Sequence, residues 1–283
     1  MDLQGVSHRF VDLAGVRLHV TEAGSGEAVL MLHGFPQHWW EYRDVIPALA
    51  QKYRVICPDL RGAGESDAPP TGYDRETLLG DVTGLLDALE LDRVHLLTHD
   101  WSGMLGFLLC LQNPERVRDH LVLSIPPPGA KPELSMLPKV LRHGWFNLLL
   151  PWPGLGPWAL HRTSLARTML RGHTVAMPEE TIELFASQFT ESARAVAGSA
   201  LYRTFIQPEG LRMMRAKNSQ RLTTPTRVLV GAEDHVVRAG SIHGYEPFVD
   251  DLEVVEVAGA SHFLVDDRPD AVIEHALEFF AQH

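Results

Sequence analysis

Residues 93–112 read RVHLLTHDWSGMLGFLLCLQ. RVHLLT is an apolar run of strand length, and Ser102 to Gln112 is apolar at helical length until Asn113-Pro114 stops it. Between them lies His99-Asp100-Trp101-Ser102. An abrupt strand-to-helix turn of this kind lifts one side chain above the sheet, and it needs small neighbours because a Cβ there would collide with it. Ser102 and Gly103 meet that need on one side, while Thr98 is bulkier than the glycine usual on the other. The side chain so placed is Asp100. Taken alone, an Asp after a strand serves equally well as the N-cap of the following helix.

Working outward, HRFVDL and VRLHVTEA alternate apolar and polar residues around Gly15 and read as a hairpin with one solvated face. AVLMLHG, residues 28–34, is a nearly continuous apolar run, expected of a strand buried on both faces in a parallel sheet. A helix over His38 to Gln51, a strand YRVICPD, a helix from Arg75 to Leu89, the opening strand and helix, and a strand HLVLSI continue the alternation. From Pro126 the rhythm breaks into roughly 90 residues rich in Leu, Arg and Trp, punctuated by PWPGLGP, MPEE and QPEG and without strand signals. Strands return at TRVLVGAED and DLEVVEVAG, and a helix from Pro269 to Gln282 ends the chain. The pattern predicts an α/β fold with a mostly parallel, doubly wound sheet of eight strands flanked by helices. It divides the chain into a core of residues 1–127, an inserted helical cap of 128–222, and the rest of the core, 223–283.

Composition narrows the partners. The 283 residues are 45% apolar, enough for a substantial core without staples. Lys and Arg number 25 against 36 Asp and Glu, and the net charge of −11 repels phosphate backbones and anionic membranes, so neither nucleic acid nor membrane is expected. Cys57 and Cys110 sit in apolar sequence, RVICPD and GFLLCLQ, which argues against a disulfide and for a reducing compartment. MDLQGVSHRFVDLAG lacks the basic and apolar regions of a signal peptide, and no uninterrupted apolar stretch is long enough to span a bilayer. A cytoplasmic protein is the expectation.

In open α/β sheets, ligands bind beyond the carboxyl ends of the strands, and here those ends are polar. They read His33-Gly34-Phe35-Pro36, Thr98 to Gly103, Gly231-Ala232-Glu233-Asp234 and Gly259-Ala260-Ser261-His262-Phe263. Asp100, Asp234 and His262 thus arrive in the order of a nucleophile, an orienting acid and a base. The 15 histidines form no HExxH or similar ligand spacing, and GAGES at 62–66 lacks the Lys-Ser/Thr of a phosphate loop. No metal and no cofactor is expected, and GAGES reads as a structural turn.

FVDLAGVRLHVTEAGSGEAVLMLHGFPQHWWEYR, PDLRGAGESDAP, HDWSG, VLVGAEDHVV and GASHF, in this order, span almost the whole chain. On them the sequence resembles the α/β-hydrolase fold family and, within it, the epoxide hydrolase and haloalkane dehalogenase branch. Most of that superfamily carries Ser in G-x-S-x-G; this chain has Asp100 at the matching place, which argues against an ordinary esterase. A carboxylate attacks strained or activated sp³ carbon to give an ester of the enzyme, and His262, oriented by Asp234, would then activate water against that ester. The resemblance further implies oxyanion stabilisation by the backbone N–H groups of Phe35 and Trp101, with His33, Gly34 and Pro36 shaping the loop.

The resemblance also implies two cap tyrosines that hydrogen-bond an epoxide oxygen. Tyr202, in SALYRTF, looks like the second, but Trp145-Phe146 stands where a Trp-Tyr pair is expected. Either Tyr202 works alone, or His143 or His161 replaces the missing hydroxyl, or the reaction is not epoxide opening. By the resemblance, a dehalogenase would hold halide on Trp101 and on an Asn or a second Trp, yet Phe35 follows HG; a fluoroacetate-type enzyme would need Arg residues after its nucleophilic Asp, and Trp101 and Met104 to Phe107 include none. Hydrolysis of an apolar epoxide to a diol is therefore favoured over dehalogenation and over a ligand-binding, catalytically impaired protein. Trp145, Phe146 and the neighbouring cap Leu and Trp residues suggest a small hydrophobic substrate with water as co-substrate; a homodimer stays open.

Overall fold

The structure is a computed structural model that describes residues 1–131, 142–215 and 221–283. The first hairpin forms as its alternation predicts. β1 (Ser7–Leu13) and β2 (Val16–Ala23) pair antiparallel, and Gly15 turns the chain at φ 80°, where an L side chain would be strained. β3 (Ala28–Leu32), β4 (Arg54–Pro58), β5 (Val94–His99), β6 (Val117–Leu123), β7 (Thr226–Gly231) and β8 (Leu252–Val257) complete one eight-stranded sheet. Its order is β1-β2-β4-β3-β5-β6-β7-β8, parallel from β4 to β8, with β2 running against β4. β3 and β5 are buried along their whole length, as central strands are when helices cover both faces; β3 is wholly apolar, while β5 buries His95, Thr98 and His99 as well.

The single helix expected over His38 to Gln51 does not form. A 3₁₀ turn at Trp39–Tyr42 is followed by a short α1 (Ile46–Leu49) with Pro47 in its first turn. Proline has no N–H to donate to the previous turn and its ring clashes there, so a helix running in from His38 cannot pass it. α2 (Arg75–Ala88) and α3 (Trp101–Gln112) match expectation to within a residue, α2 being capped by Asp74 accepting from the Thr77 N–H at 3.0 Å. These two helices pack on one face of the sheet.

Between β6 and β7 the described elements are helical: α4 (Phe146–Leu149), α5 (Leu155–Arg162), α6 (Leu165–Gly172), α7 (Glu179–Ser187), α8 (Ser192–Leu201), a π-helical turn at Tyr202–Ile206, and α9 (Gln207–Arg215). After β8 come a short α10 (Leu264–Asp267), unanticipated in the sequence, and α11 (Pro269–Phe280), which packs with α1 on the sheet's second face. Cys57 and Cys110 are buried free thiols. GAGES is a turn around the buried Asp59 carboxylate, which accepts the Glu65 N–H at 2.8 Å; a Cβ on Gly64 would strike it. Among the described residues no helix is long and apolar enough to cross a membrane.

Sheet growth reverses at β3, whose neighbours are β4 on one side and β5 on the other. At such a point the loops beyond adjacent strands diverge and open a crevice. The loops after β3 and β5 meet here so closely that a Cβ on Gly34 would lie 2.7 Å from His99 Nδ1 and 2.9 Å from the Asp100 Cβ.

Candidate active site

Asp100 is the one residue between β5 and α3, and its backbone sits at φ 53°, ψ −133°. A non-glycine residue in such a conformation costs on the order of 1–3 kcal/mol and persists only where its surroundings impose it. They do so through three backbone and side-chain contacts. The Asp100 N–H donates to the Leu123 carbonyl at 3.1 Å, and its carbonyl accepts from the Gly103 N–H at 2.8 Å. Ser102, fully buried, donates to the Leu32 carbonyl at 2.8 Å and so ties the turn to β3. That burial removes Ser102 as a nucleophile. Asp100 makes no capping bond to α3, so the N-cap reading fails.

The Asp100 carboxylate faces two donors instead. Oδ2 accepts from the Phe35 N–H at 2.9 Å, and Oδ1 lies 3.3 Å from His262 Nε2. Nδ1 of His262 is 3.0 Å from Asp234 Oδ2, and the other Asp234 oxygen accepts from the N–H groups of Val236 and Val237 at 2.7 and 3.1 Å. The loops after β5, β7 and β8 thus bring Asp100, Asp234 and His262 into one line. Burial alone would lower the His262 pKa, but the two carboxylates prevail and raise it to about 10. Burial likewise pushes both aspartates up, and the imidazolium more than offsets it, holding each below the ordinary carboxylate value. The resting site is carboxylate, imidazolium, carboxylate.

Behind this line stands a second layer that sequence reasoning missed. Glu41, from the 3₁₀ turn, accepts from the Gly34 N–H at 2.9 Å, and its other oxygen is 3.0 Å from His99 Nδ1. His99 Nε2 donates to the His262 carbonyl at 2.8 Å, and the Ser124 hydroxyl donates to that same carbonyl at 2.8 Å. Burial would lower the His99 pKa; Glu41 outweighs it and the net direction is upward. Nothing in WWEYR or LTHD marks Glu41 or His99 as partners, because their pairing exists only where the β3 and β5 loops cross. The His262 loop is also tied to the inserted segment: the His262 N–H donates to the His173 carbonyl at 3.1 Å, and Asp267 accepts from Ser261, Val175 and Ala176 N–H groups, each at 2.8 Å.

Over Asp100 and His262 lies a cavity of about 170 Å³, walled mainly by apolar side chains such as Met104, Ile125 and Val237. Phe146, Tyr202 and His173 line it from the inserted helices. Tyr202 opens the π-helical turn, a local widening often found at functional positions, and its ring packs edge-on against Phe35 at 5.2 Å. Burial and the nearby Asp100 carboxylate hold its hydroxyl pKa well above 10, so the proton stays on.

The remaining expected residues fall into place with some corrections. The Phe35 N–H is on Asp100, and the Trp101 N–H is the first of α3, with no partner inside the helix. The Trp101 ring packs edge-on against Phe205 at 5.8 Å. His33 is structural, its Nε2 accepting from the Leu60 N–H at 2.9 Å. Trp145 points away from the cavity and is 44% exposed, since the start of α4 turns its neighbour Phe146 inward instead. Neither His143 nor His161 reaches the cavity, and His161 is engaged by the Phe189 carbonyl at 2.9 Å. The histidine that does reach it is His173, in RGHTV, a stretch with no motif to announce it.

Comparison with known proteins identifies the family. Residues 27–269 match the family model for the alpha/beta hydrolase fold. The chain is 30% identical to a soluble epoxide hydrolase from a Corynebacterium species, covering 98% of each protein, and 28% identical to epoxide hydrolase 1 of Siraitia grosvenorii, covering 99% of this chain and 100% of that one. The crystal structure of an epoxide hydrolase from Vigna radiata superposes with a TM-score of 0.79 at 26% identity, over 100% of both chains. The chain belongs to the α/β-hydrolase fold family. Within it, the protein is a hydrolase of the epoxide hydrolase-like branch.

Proposed function

We propose that the protein hydrolyses a small apolar epoxide to a vicinal diol through an ester on Asp100, with residues 128–222 acting as a cap over a core formed by 1–127 and 223–283. The observation that carries this reading is the nucleophile position. A carboxylate stands there, held by the Phe35 N–H and His262, and faces an apolar cavity that also contains a protonated Tyr202. An Asp100 oxygen forms a bond to an oxirane carbon as the ring C–O bond breaks, and the leaving oxygen takes the Tyr202 proton. His262, an imidazolium at rest, returns a proton to Tyr202. Esterification removes one of the two negative charges that held that proton, so its transfer is favoured at this moment.

Neutral His262 then takes a proton from water, whose oxygen attacks the carboxyl carbon of Asp100. The Phe35 and Trp101 N–H groups stabilise the oxyanion, the diol leaves with the remaining proton, and the carboxylate and imidazolium are restored. Related epoxide hydrolases support the choice of substrate class.

Replacing the base tests the scheme. His262→Gln stops the second step, so intact-protein mass spectrometry after exposure to epoxides and haloalkanes should show Asp100 carrying the mass of a whole epoxide. An alkyl adduct without halogen would assign dehalogenation, and no adduct with any electrophile would refute the covalent mechanism.

A further inference from the structure

The net charge of −11 is not spread evenly. Between Glu133 and Glu179 the sequence contains no Asp or Glu, while it contains Lys139, Arg142, Arg162, Arg167 and Arg171. Arg167 and Arg171 are matched by Glu183 and Glu179 on α7. Arg142 and Arg162, together with Arg203, are exposed and make no ion pair among the described residues.

The same region exposes its large apolar side chains. Trp152 is 65% exposed, Trp158 56% and Leu148 62%, with Trp145 and Leu155 close behind, whereas Trp39, Trp40 and Trp101 are buried or half-buried. Within α5, Leu155, Trp158 and Arg162 recur at three and four residues and share the solvent face, opposite the buried Ala159 and Leu160. Arg203 reaches the Pro151 carbonyl at 3.4 Å, next to Trp152, so the cations border the indoles. A second cavity of about 110 Å³ is lined by Arg142 and Trp145, and it shares Phe146, Met169 and His173 with the cavity over Asp100.

We propose that this face of the inserted helices docks on a phospholipid surface. The indoles and leucines take the boundary between headgroups and acyl chains, and the three arginines meet anionic headgroups. The charge pattern selects this occupant over a second copy of the chain, because among the described residues no carboxylate pairs with these arginines, and a self-pairing contact would set them against one another. Repulsion by the acidic remainder is screened beyond about 8 Å at physiological salt, so the local charges decide the contact. The second cavity then opens toward the lipid and passes an apolar substrate to Asp100. That last step rests on the epoxide reading; the docking does not.

The test uses the full chain with vesicles of phosphatidylcholine alone or mixed with phosphatidylglycerol. Expected are co-sedimentation and a blue-shifted tryptophan emission with the mixed vesicles, quenching by brominated phosphatidylcholine, and weaker binding to phosphatidylcholine alone or at high salt. Arg162→Gln and Arg203→Gln should each lower partitioning about fivefold, and a Trp152→Ser, Trp158→Ser double variant should lose the blue shift and the quenching. Wild-type protein that stays in the supernatant with both vesicles, its emission unmoved, overturns the proposal whatever the variants do. A dimer in sedimentation velocity that the double variant dissociates also overturns it, assigning the face to a second copy. Turnover of a water-soluble epoxide is read in the same samples; its absence beside intact vesicle binding would count against the reaction and not the docking.

Discussion

Tyr202→Phe removes one hydroxyl and nothing else from the cavity wall, and the structure says how much that hydroxyl carries. The other polar side chains brought there by the inserted helices cannot replace it. His173 Nδ1 donates to the Met169 carbonyl at 2.8 Å, which leaves its Nε2 as a lone pair, and burial holds its pKa below the ordinary histidine value. The Asn147 amide donates one of its two N–H groups to the Gly144 carbonyl at 2.9 Å, and an amide N–H is too weak an acid to hand over a proton. Phe146, which also lines the cavity, has no hydroxyl to donate. With no second acid among the described cavity side chains of the inserted helices to protonate the leaving oxygen, the loss should approach the full value of a preorganised donor, about 3–4 kcal/mol, or roughly 10²- to 10³-fold in kcat/KM. Because the missing proton belongs to ring opening, ester formation becomes limiting. Quenched-flow samples analysed by intact mass should therefore show no build-up of the Asp100 ester in Tyr202→Phe, and adding Phe146→Tyr should restore part of the rate. Diol formation within about threefold of wild type would refute the role of Tyr202 as donor.

Other outcomes follow from the same geometry. Gly34→Ala places a Cβ against His99 and the Asp100 Cβ, so it should displace the Phe35 N–H and cut turnover, with thermal unfolding measured alongside to separate a local shift from loss of the fold. Asp234→Asn should favour the wrong His262 tautomer and slow ester hydrolysis by up to about 10⁴-fold, seen as an ester that persists on Asp100 in the mass spectrum. The His262 pKa is raised in the folded protein, so its stabilising contribution is full below its ordinary value of 6.5 and disappears as the pH rises through about 10. Unfolding temperatures compared between neutral pH and pH values above 10 should show that loss in the wild type and a smaller one in His262→Gln. In turnover the sign is opposite: the ester form needs neutral His262, so the hydrolysis rate should fall toward acid pH, as single-turnover profiles would show.

The strand and helix alternation was legible because hydrophobic period is a local property. β3 announces burial on both faces by carrying no polar residue, and Gly15 announces its hairpin, whereas β5 buries His95, Thr98 and His99 beside its Val and Leu residues. The largest local error, one helix from His38 to Gln51, came from weighing apolar spacing above Pro47, which the backbone cannot ignore. Side-chain direction was less legible. Of the adjacent pair Trp145 and Phe146, only packing against the rest of the fold decides which ring turns inward.

By itself, the sequence determined the chemistry available at each strand end: an Asp at the turn after β5, then an Asp and a His in the order needed, with a single tyrosine in the inserted region. Tertiary structure alone decided the strand order that opens the crevice beside β3, the Glu41–His99 pair behind Asp100, the presence of His173 in the cavity, and the cluster of exposed tryptophans beside arginines that make no ion pair among the described residues. It also showed that an average charge of −11 conceals a basic, aromatic face. The physical reason is the same in each case. Period, capping and residue type act within a few positions along the chain, whereas His99 and His262, or Glu41 and His99, meet only after the sheet has set distant loops side by side.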